Sequence, residues 1–174
     1  MIFENIIPVF VVSILMAYLY SASKKKPKKD GDENIILQLP KFYYLIGITV
    51  LLGGIGLFVF ASFFASGNDK ILASVSSLIA IITGLILFSK GYISHLKVTN
   101  IGIIETSMFG KENEIKWGEI KELSFGKTSL ELKISSADKT IKAHMHLVGF
   151  QELVSKLEQK TGKTKTDMGI PNKK

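Results

Sequence analysis

The first half of the chain contains three apolar stretches without a charged side chain, at residues 6–20, 42–64 and 71–88. About 20 apolar residues in a helix cross the roughly 30 Å hydrocarbon core of a bilayer. The second and third stretches therefore predict a membrane-spanning helical hairpin over residues 42–89, with a short turn at residues 65–70. Hydrophobicity divides the chain into a membrane half and a second half outside the membrane.

The first apolar stretch is shorter than the other two. Glu4 precedes it and lysines follow it, whereas a secretory signal carries positive charge before its apolar run. This polarity predicts a first transmembrane helix over residues 1–21 with the N-terminus outside. An interfacial helix or an atypical signal peptide is the alternative.

A run of lysines follows the first stretch, at Lys24, Lys25, Lys26, Lys28 and Lys29. Lysine in short loops marks the cytoplasmic side of a membrane. Residues 22–41 are therefore predicted to be a cytoplasmic loop of a plasma-membrane protein whose C-terminal half is cytoplasmic. The same lysines are predicted to contact anionic lipid headgroups, at about 1 kcal/mol per lysine. A role in topology alone is the alternative.

Small residues recur along one face of each hairpin helix. They are Gly47, Gly54 and Ala61 on the first helix, and Ala73, Ser77, Ala80 and Gly84 on the second. Small side chains allow membrane helices to approach closely, so these residues are predicted to pack helix against helix. Transporters usually place ionisable groups at membrane depth. Since none lies in these stretches, the membrane half is interpreted as an anchor.

The composition excludes several kinds of chemistry. The chain has no cysteine, which excludes disulfides, thiolate metal sites and cysteine nucleophiles. All 22 basic residues are lysine, so bidentate guanidinium clamps on phosphate are absent. The net charge of +7 is concentrated beside apolar stretches, where topology and anionic lipid explain it better than nucleic acid does.

The second half shows short alternating apolar runs separated by turn residues. This pattern predicts six strands, near residues 96–98, 101–109, 114–117, 120–125, 130–134 and 140–147. Phe150, Leu153, Val154 and Leu157 then follow helical spacing, and Gly162 is an end signal. The pattern predicts a meander that curls into a small barrel or sandwich closed by an amphipathic helix. Residues 163–174 are predicted to be a disordered polar tail.

This half resembles the bacterial PH-like domains found in small membrane proteins. The resemblance covers residues 92–161 and rests on 98–103 (VTNIGI), 109–111 (FGK), 115–120 (IKWGEI) and the closing helix. It implies a seven-stranded antiparallel barrel with a C-terminal capping helix over residues 90–162, and a binding role. Residues 34–39 (NIILQL) are the candidate seventh strand, with a membrane-proximal linker as the alternative. The predicted fold is three transmembrane helices followed by this α+β domain.

Few side chains suggest a reaction. His144 and His146 have a spacing that suits a metal, but no third ligand is identifiable, and they are interpreted as solvent-facing residues of a strand. Trp117 is interpreted as a core residue. Glu119 and Glu122 have no evident acid or base partner. No catalytic residue, metal or cofactor is predicted.

The sequence therefore predicts a non-catalytic binding or scaffolding module anchored at the cytoplasmic face of the plasma membrane. Its predicted partners are anionic lipids and a protein of unknown identity, and homo- or hetero-oligomers are compatible with the small-residue helix faces. The alternative is a structural or regulatory subunit of a larger membrane complex assembled through the helices.

Overall fold

A computed structural model describes residues 17–18, 21–22, 24–30 and 34–171. The elements whose bounds it defines are β1 (Lys28–Asp30), β2 (Asn34–Gln38), α1 (Phe42–Phe64), α2 (Gly67–Tyr92), β3 (His95–Val98), β4 (Gly102–Thr106), β5 (Glu112–Lys116), β6 (Glu122–Gly126), β7 (Glu131–Ser135), β8 (Thr140–His144) and α3 (Phe150–Thr161). Apart from residues 17–18, the first predicted span, residues 6–20, lies outside the described residues.

The chain divides into two compact units. The helical unit comprises Lys41–Ser94 together with Thr106–Lys111, which is the turn between β4 and β5. The sheet domain comprises the described residues up to Pro40, then His95–Glu105 and residues 112–171. The sheet domain is therefore built from segments on both sides of α1 and α2 in the sequence.

The helical unit contains the two predicted apolar helices, both long and apolar enough to cross a membrane. In their most apolar windows only 17% and 11% of the residues are buried. A core helix of a soluble protein would be mostly buried, whereas these helices present apolar side chains outward. The second helix is longer than predicted, because it begins in the turn at Gly67 and continues past Lys90 to Tyr92.

Close backbone contact between α1 and α2 depends on glycine. A Cβ atom on Gly47 would lie 2.4 Å from the Phe88 backbone nitrogen, and one on Gly84 would lie 2.6 Å from that of Leu51. A Cβ atom on Gly54 would lie 2.9 Å from the Ile81 nitrogen. Of the small residues predicted to pack, Gly47, Gly54, Ala61, Ser77 and Gly84 are buried, while Ala73 and Ala80 are half-buried. The two small-residue faces meet each other inside the hairpin.

The strands form two sheets rather than one closed barrel. A five-stranded sheet has the order β1-β2-β3-β4-β5, and a three-stranded sheet has the order β6-β7-β8. Where β5 and β8 approach, side chains replace a backbone ladder: Asn113 Nδ2 donates to the Thr140 carbonyl, and Lys139 Nζ donates to that of Glu114. Between β5 and β6 a 3₁₀ turn at Trp117–Glu119 redirects the chain. The predicted barrel is therefore incorrect for the described strands.

The core lies where the sheets and α3 meet. Its fully buried side chains include Leu37 from β2, Ile103 from β4, Leu132 from β7, and Leu153 and Leu157 from α3. The helix buries the face that its apolar spacing predicts, namely Phe150, Leu153, Val154 and Leu157. The antiparallel strands and the C-terminal helix of the prediction are thus present.

Within the predicted loop at residues 22–41, two described segments are strands, at Lys28–Asp30 and Asn34–Gln38. Asn34–Gln38 pairs with β3 in antiparallel register, so that Ile35 lies opposite Val98 and Gln38 opposite His95. Ile35 and Leu37 alternate with half-buried neighbours and point into the core. The candidate seventh strand is therefore a strand, and β1 adds an eighth outside it.

The segment predicted as a disordered tail packs on the sheet domain over residues 163–171. Met168 is 1% exposed, and its carbonyl accepts a 2.8 Å hydrogen bond from the backbone nitrogen of Phe125. Ile170 packs against the same core. The segment is polar in composition, but its Met168 side chain fills a space in the core.

Candidate functional site

The lysine run lies along an outer edge of the five-stranded sheet. Lys24 and Lys25 are held in a turn by backbone hydrogen bonds to Ser21 and Ala22. Lys28 and Lys29 belong to β1, the outermost strand of the sheet, opposite Ile36 and Ile35 of β2. All five lysines of the run are exposed. The fold therefore places Lys28 and Lys29 on the outer strand, with Lys24, Lys25 and Lys26 in the exposed segment that leads into it.

Asp30, the acidic residue at the end of β1, forms an ion pair. Lys97 Nζ lies 2.7 Å from Asp30 Oδ2, with both side chains partly exposed. A surface pair of this kind adds little stability. Its effect here is electrostatic, because it neutralises the carboxylate that directly follows the lysine run and leaves the run positive.

The lysine run is fixed to the rest of the sheet domain at Pro27. Gly149, which precedes α3, has a φ of 86°, and a Cβ atom there would lie 2.5 Å from Pro27 Cβ. The neighbouring Val148 nitrogen donates a hydrogen bond to the Gln38 carbonyl at 2.9 Å, which joins the segment before α3 to β2. The lysines are thus carried by a packed segment rather than by an unstructured linker.

A shallow groove of about 340 Å³ lies on the five-stranded sheet. Its lining residues are Asn34, Lys97, Thr99, Asn100, Ile101, Ile104 and Glu114. Ile101 is 67% exposed, so the groove combines an apolar contact with charges of both signs. Such a surface suits a polar peptide segment better than a small apolar ligand.

Trp117 supports this groove from the core side. It is half-buried in the 3₁₀ turn and packs against the core, as the sequence predicts. Its indole Nε1 donates to the Thr99 carbonyl at 3.2 Å. The tryptophan thereby holds the turn between β3 and β4.

The two histidines do not both face solvent. The strand ends at His144, and His146 lies beyond it with 8% of its surface exposed. The ring centroids are 4.8 Å apart, and the His146 backbone nitrogen donates to His144 Nδ1. Among the described residues, His146 Nδ1 has no hydrogen-bond partner. Burial lowers the pKa of His146. The predicted solvent-facing position of His146 is therefore incorrect, because the strand ends at His144, two residues before it.

The acidic residues occupy structural positions. Glu119 Oε2 accepts a hydrogen bond from the Lys116 backbone nitrogen and closes the 3₁₀ turn, while Glu122 is exposed at the start of β6. Burial raises the pKa of Glu105, with Lys142 opposing the shift and Glu131 adding to it. Over residues 34–171 and the shorter described segments, no group of three or more potential metal ligands is found.

Comparison with protein-family models, with curated proteins and with solved structures finds no significant match to this chain. The resemblance to PH-like domains thus stays a prediction.

Proposed function

We propose that the chain is a membrane-anchored, non-catalytic binding or scaffolding module of PH-like character at the cytoplasmic face of the plasma membrane. The observation that carries this proposal is the pairing of Gln38 with His95. The strands containing them are neighbours in one sheet, and α1 and α2 are inserted between them in the sequence. Only Leu39, Pro40 and Lys41 lead into α1, and only Ile93 and Ser94 lead out of α2.

Two short connections make a stronger tether than one long linker. Each crossing point is limited to two or three residues, so the sheet domain stays close to the helix ends. Confinement of this kind raises the effective concentration of the domain for other molecules at the membrane surface. A weak binding surface on the domain would then be sufficient for function.

The edge with the lysine run supplies the proposed lipid contact. Five exposed lysines on a packed edge offer anionic headgroups about 1 kcal/mol each. Lysine rather than arginine favours a general attraction to negative charge over bidentate recognition of one phosphate. The proposed lipid partners are therefore anionic lipids as a class.

The groove beside Ile101 is the proposed contact with a protein partner. A photo-crosslinking group attached at Ile101→Cys in membranes, followed by mass spectrometry, tests this. Capture of the same protein from Ile101→Cys but not from Lys127→Cys, on the turn between β6 and β7, is expected. No selective capture, together with no preference for anionic lipid in vesicles, would reject the proposal.

A second candidate function is a structural subunit of a larger membrane complex. It is favoured by Gly53 and Gly56, where a Cβ atom would meet nothing within 4 Å. These glycines leave a small-residue surface on α1 that the hairpin does not use. Loss of a higher-order assembly in Gly53→Leu, measured by mass in detergent, would support this candidate, and an unchanged mass would reject it.

A further inference from the structure

The turn between β4 and β5 carries the most exposed large apolar side chain of the described residues. Phe109 is 85% exposed, more than any large apolar residue of α1 or α2, where Phe63 reaches 78%. A single exposed apolar residue is ordinary on a protein surface. The exposure of Phe109 becomes significant because hydrogen bonds fix the turn that carries it and because of where this turn lies in the fold.

The turn holds Phe109 outward in a closed conformation. The Gly110 nitrogen donates to the Ser107 carbonyl at 2.9 Å, and the Ser107 nitrogen donates to the Lys111 carbonyl at 2.9 Å. Ser107 Oγ also accepts from the Lys111 nitrogen, and Gly110 supplies the positive φ of 75° that the turn needs. Since the turn is already ordered, presenting the ring to a binding surface costs little conformational entropy.

Strand direction places this turn at a defined end of the five-stranded sheet. β3 starts at His95, directly after α2, and the chain reverses where the Thr99 nitrogen donates to the Gly102 carbonyl. β4 therefore returns toward the sheet end at which His95 and Gln38 lie. Consistent with this, Thr106–Lys111 belongs to the same compact unit as α1 and α2. Ile101, also strongly exposed, lies at the opposite end of β4.

The chemistry of the turn suits the boundary between lipid headgroups and acyl chains. Aromatic residues collect at membrane interfaces, and lysine places its stem in the apolar region while its ammonium stays in water. Phe109 is followed within two residues by the exposed Lys111. In the same unit, Tyr44 and Tyr92 form an edge-to-face pair with ring centroids 6.5 Å apart, near the ends of α1 and α2 that lead to the strands.

We propose that Phe109 inserts into the interfacial region of the bilayer that α1 and α2 cross. The turn between β4 and β5 then forms a third attachment of the chain to the membrane, besides the two covalent connections. This inference rests on the proposed membrane anchoring, and it names the lipid bilayer as the partner of this turn. A protein partner for Phe109 is the competing outcome.

Single-cysteine labelling tests the insertion, because the chain has no cysteine of its own. Phe109→Cys, Ile101→Cys and Leu57→Cys each carry an environment-sensitive fluorophore. The full chain is reconstituted into vesicles of phosphatidylcholine and phosphatidylglycerol, with or without nitroxide-labelled lipid. Ile101→Cys is the matched control for the dye, and Leu57→Cys reports on α1 within the membrane.

The expected result is a blue-shifted emission at position 109 with quenching by nitroxides near the headgroups. Position 101 should show a solvent-like emission without quenching, and position 57 should be quenched by nitroxides deep in the acyl region. Quenching at 57 with a solvent-like, unquenched signal at 109 would overturn the insertion and leave the membrane anchor standing. Absence of quenching at 57 would overturn the anchor and the insertion together.

Discussion

Gln38 and His95 are paired in adjacent antiparallel strands although α1 and α2 lie between them in the sequence. The helical hairpin occupies the place of a connection between neighbouring strands. A sheet can accept such an insertion because both ends of the hairpin return to the same strand end. The sheet domain is consequently discontinuous in sequence, and the helical hairpin is an insertion into it.

Replacing Gly54 with leucine is expected to separate α1 from α2. Even a Cβ atom at this position would lie 2.9 Å from the Ile81 backbone nitrogen, so a leucine side chain forces the helices apart. Thermal unfolding in detergent, followed by circular dichroism, should show a lower midpoint than the wild type. Ser76→Leu, at an exposed position of α2, is the control. Equal effects of both substitutions would contradict the packing described.

Met168→Ala is expected to destabilise the sheet domain by about 2 kcal/mol or more, the usual cost of truncating a buried methionine. Denaturant unfolding followed by Trp117 fluorescence measures this, because Trp117 is the only tryptophan of the chain. Pro171→Ala, at an exposed position of the same segment, should leave the transition unchanged. A wild-type transition for Met168→Ala would show that residues 163–171 do not belong to the core.

Because His146 is buried, the sheet domain is expected to lose stability in mild acid. Its pKa in the folded chain is lowered by burial, so below the ordinary value of 6.5 the unfolded chain takes up a proton before the folded chain does. Stability therefore falls as the pH decreases from about 7 through this range. The His144 ring, 4.8 Å away, is the neighbouring titratable group.

The denaturant concentration at the midpoint of unfolding, determined at several pH values from 7 downward, measures the effect. His146→Leu removes the titrating group and should weaken the dependence on pH. Val154→Ala, a buried substitution without a titratable group, should lower stability and keep the wild-type dependence. If the stability of His146→Leu depends on pH as steeply as that of the wild type, His146 is not the group responsible.

Replacing all five lysines of the run with glutamine is expected to abolish most of the preference for anionic lipid. At about 1 kcal/mol per lysine, the loss is at most about 5 kcal/mol. The relative association of spin-labelled phosphatidylglycerol and phosphatidylcholine with the reconstituted protein measures it, and added salt should weaken the wild-type preference. Five exposed lysines elsewhere in the sheet domain provide a matched set for control substitutions, namely Lys116, Lys121, Lys127, Lys133 and Lys160. Equal losses from both sets would assign the preference to net charge alone.

The sequence predicts the elements of this chain better than their arrangement. Apolar length identifies α1 and α2, and alternation identifies β3 to β8, because both signals depend on burial along one segment. The pairing of β2 with β3 depends on a contact across the whole hairpin, which no local pattern contains. β1 is missed because its residues are all exposed.

Single side chains account for the other differences. The apolar side chain of Met168 stands among polar residues. Alternation stops after His144 because a turn follows, in which the Leu147 nitrogen donates to the His144 carbonyl at 3.0 Å. The lysine run is visible in the sequence, but its position on a sheet edge requires β1. The sequence predicts Phe109 as the end of a strand over residues 101–109, whereas β4 ends at Thr106 and Phe109 lies exposed in the turn that follows.

The most direct test of membrane anchoring with a cytoplasmic sheet domain is cysteine accessibility in intact cells. Ser66→Cys lies in the turn between α1 and α2, and Lys127→Cys lies in the sheet domain; both positions are exposed. A membrane-impermeant maleimide is predicted to label Ser66→Cys in intact cells, and Lys127→Cys only after permeabilisation. Labelling of Lys127→Cys from outside, or the same labelling of both positions before permeabilisation, would contradict the proposed topology.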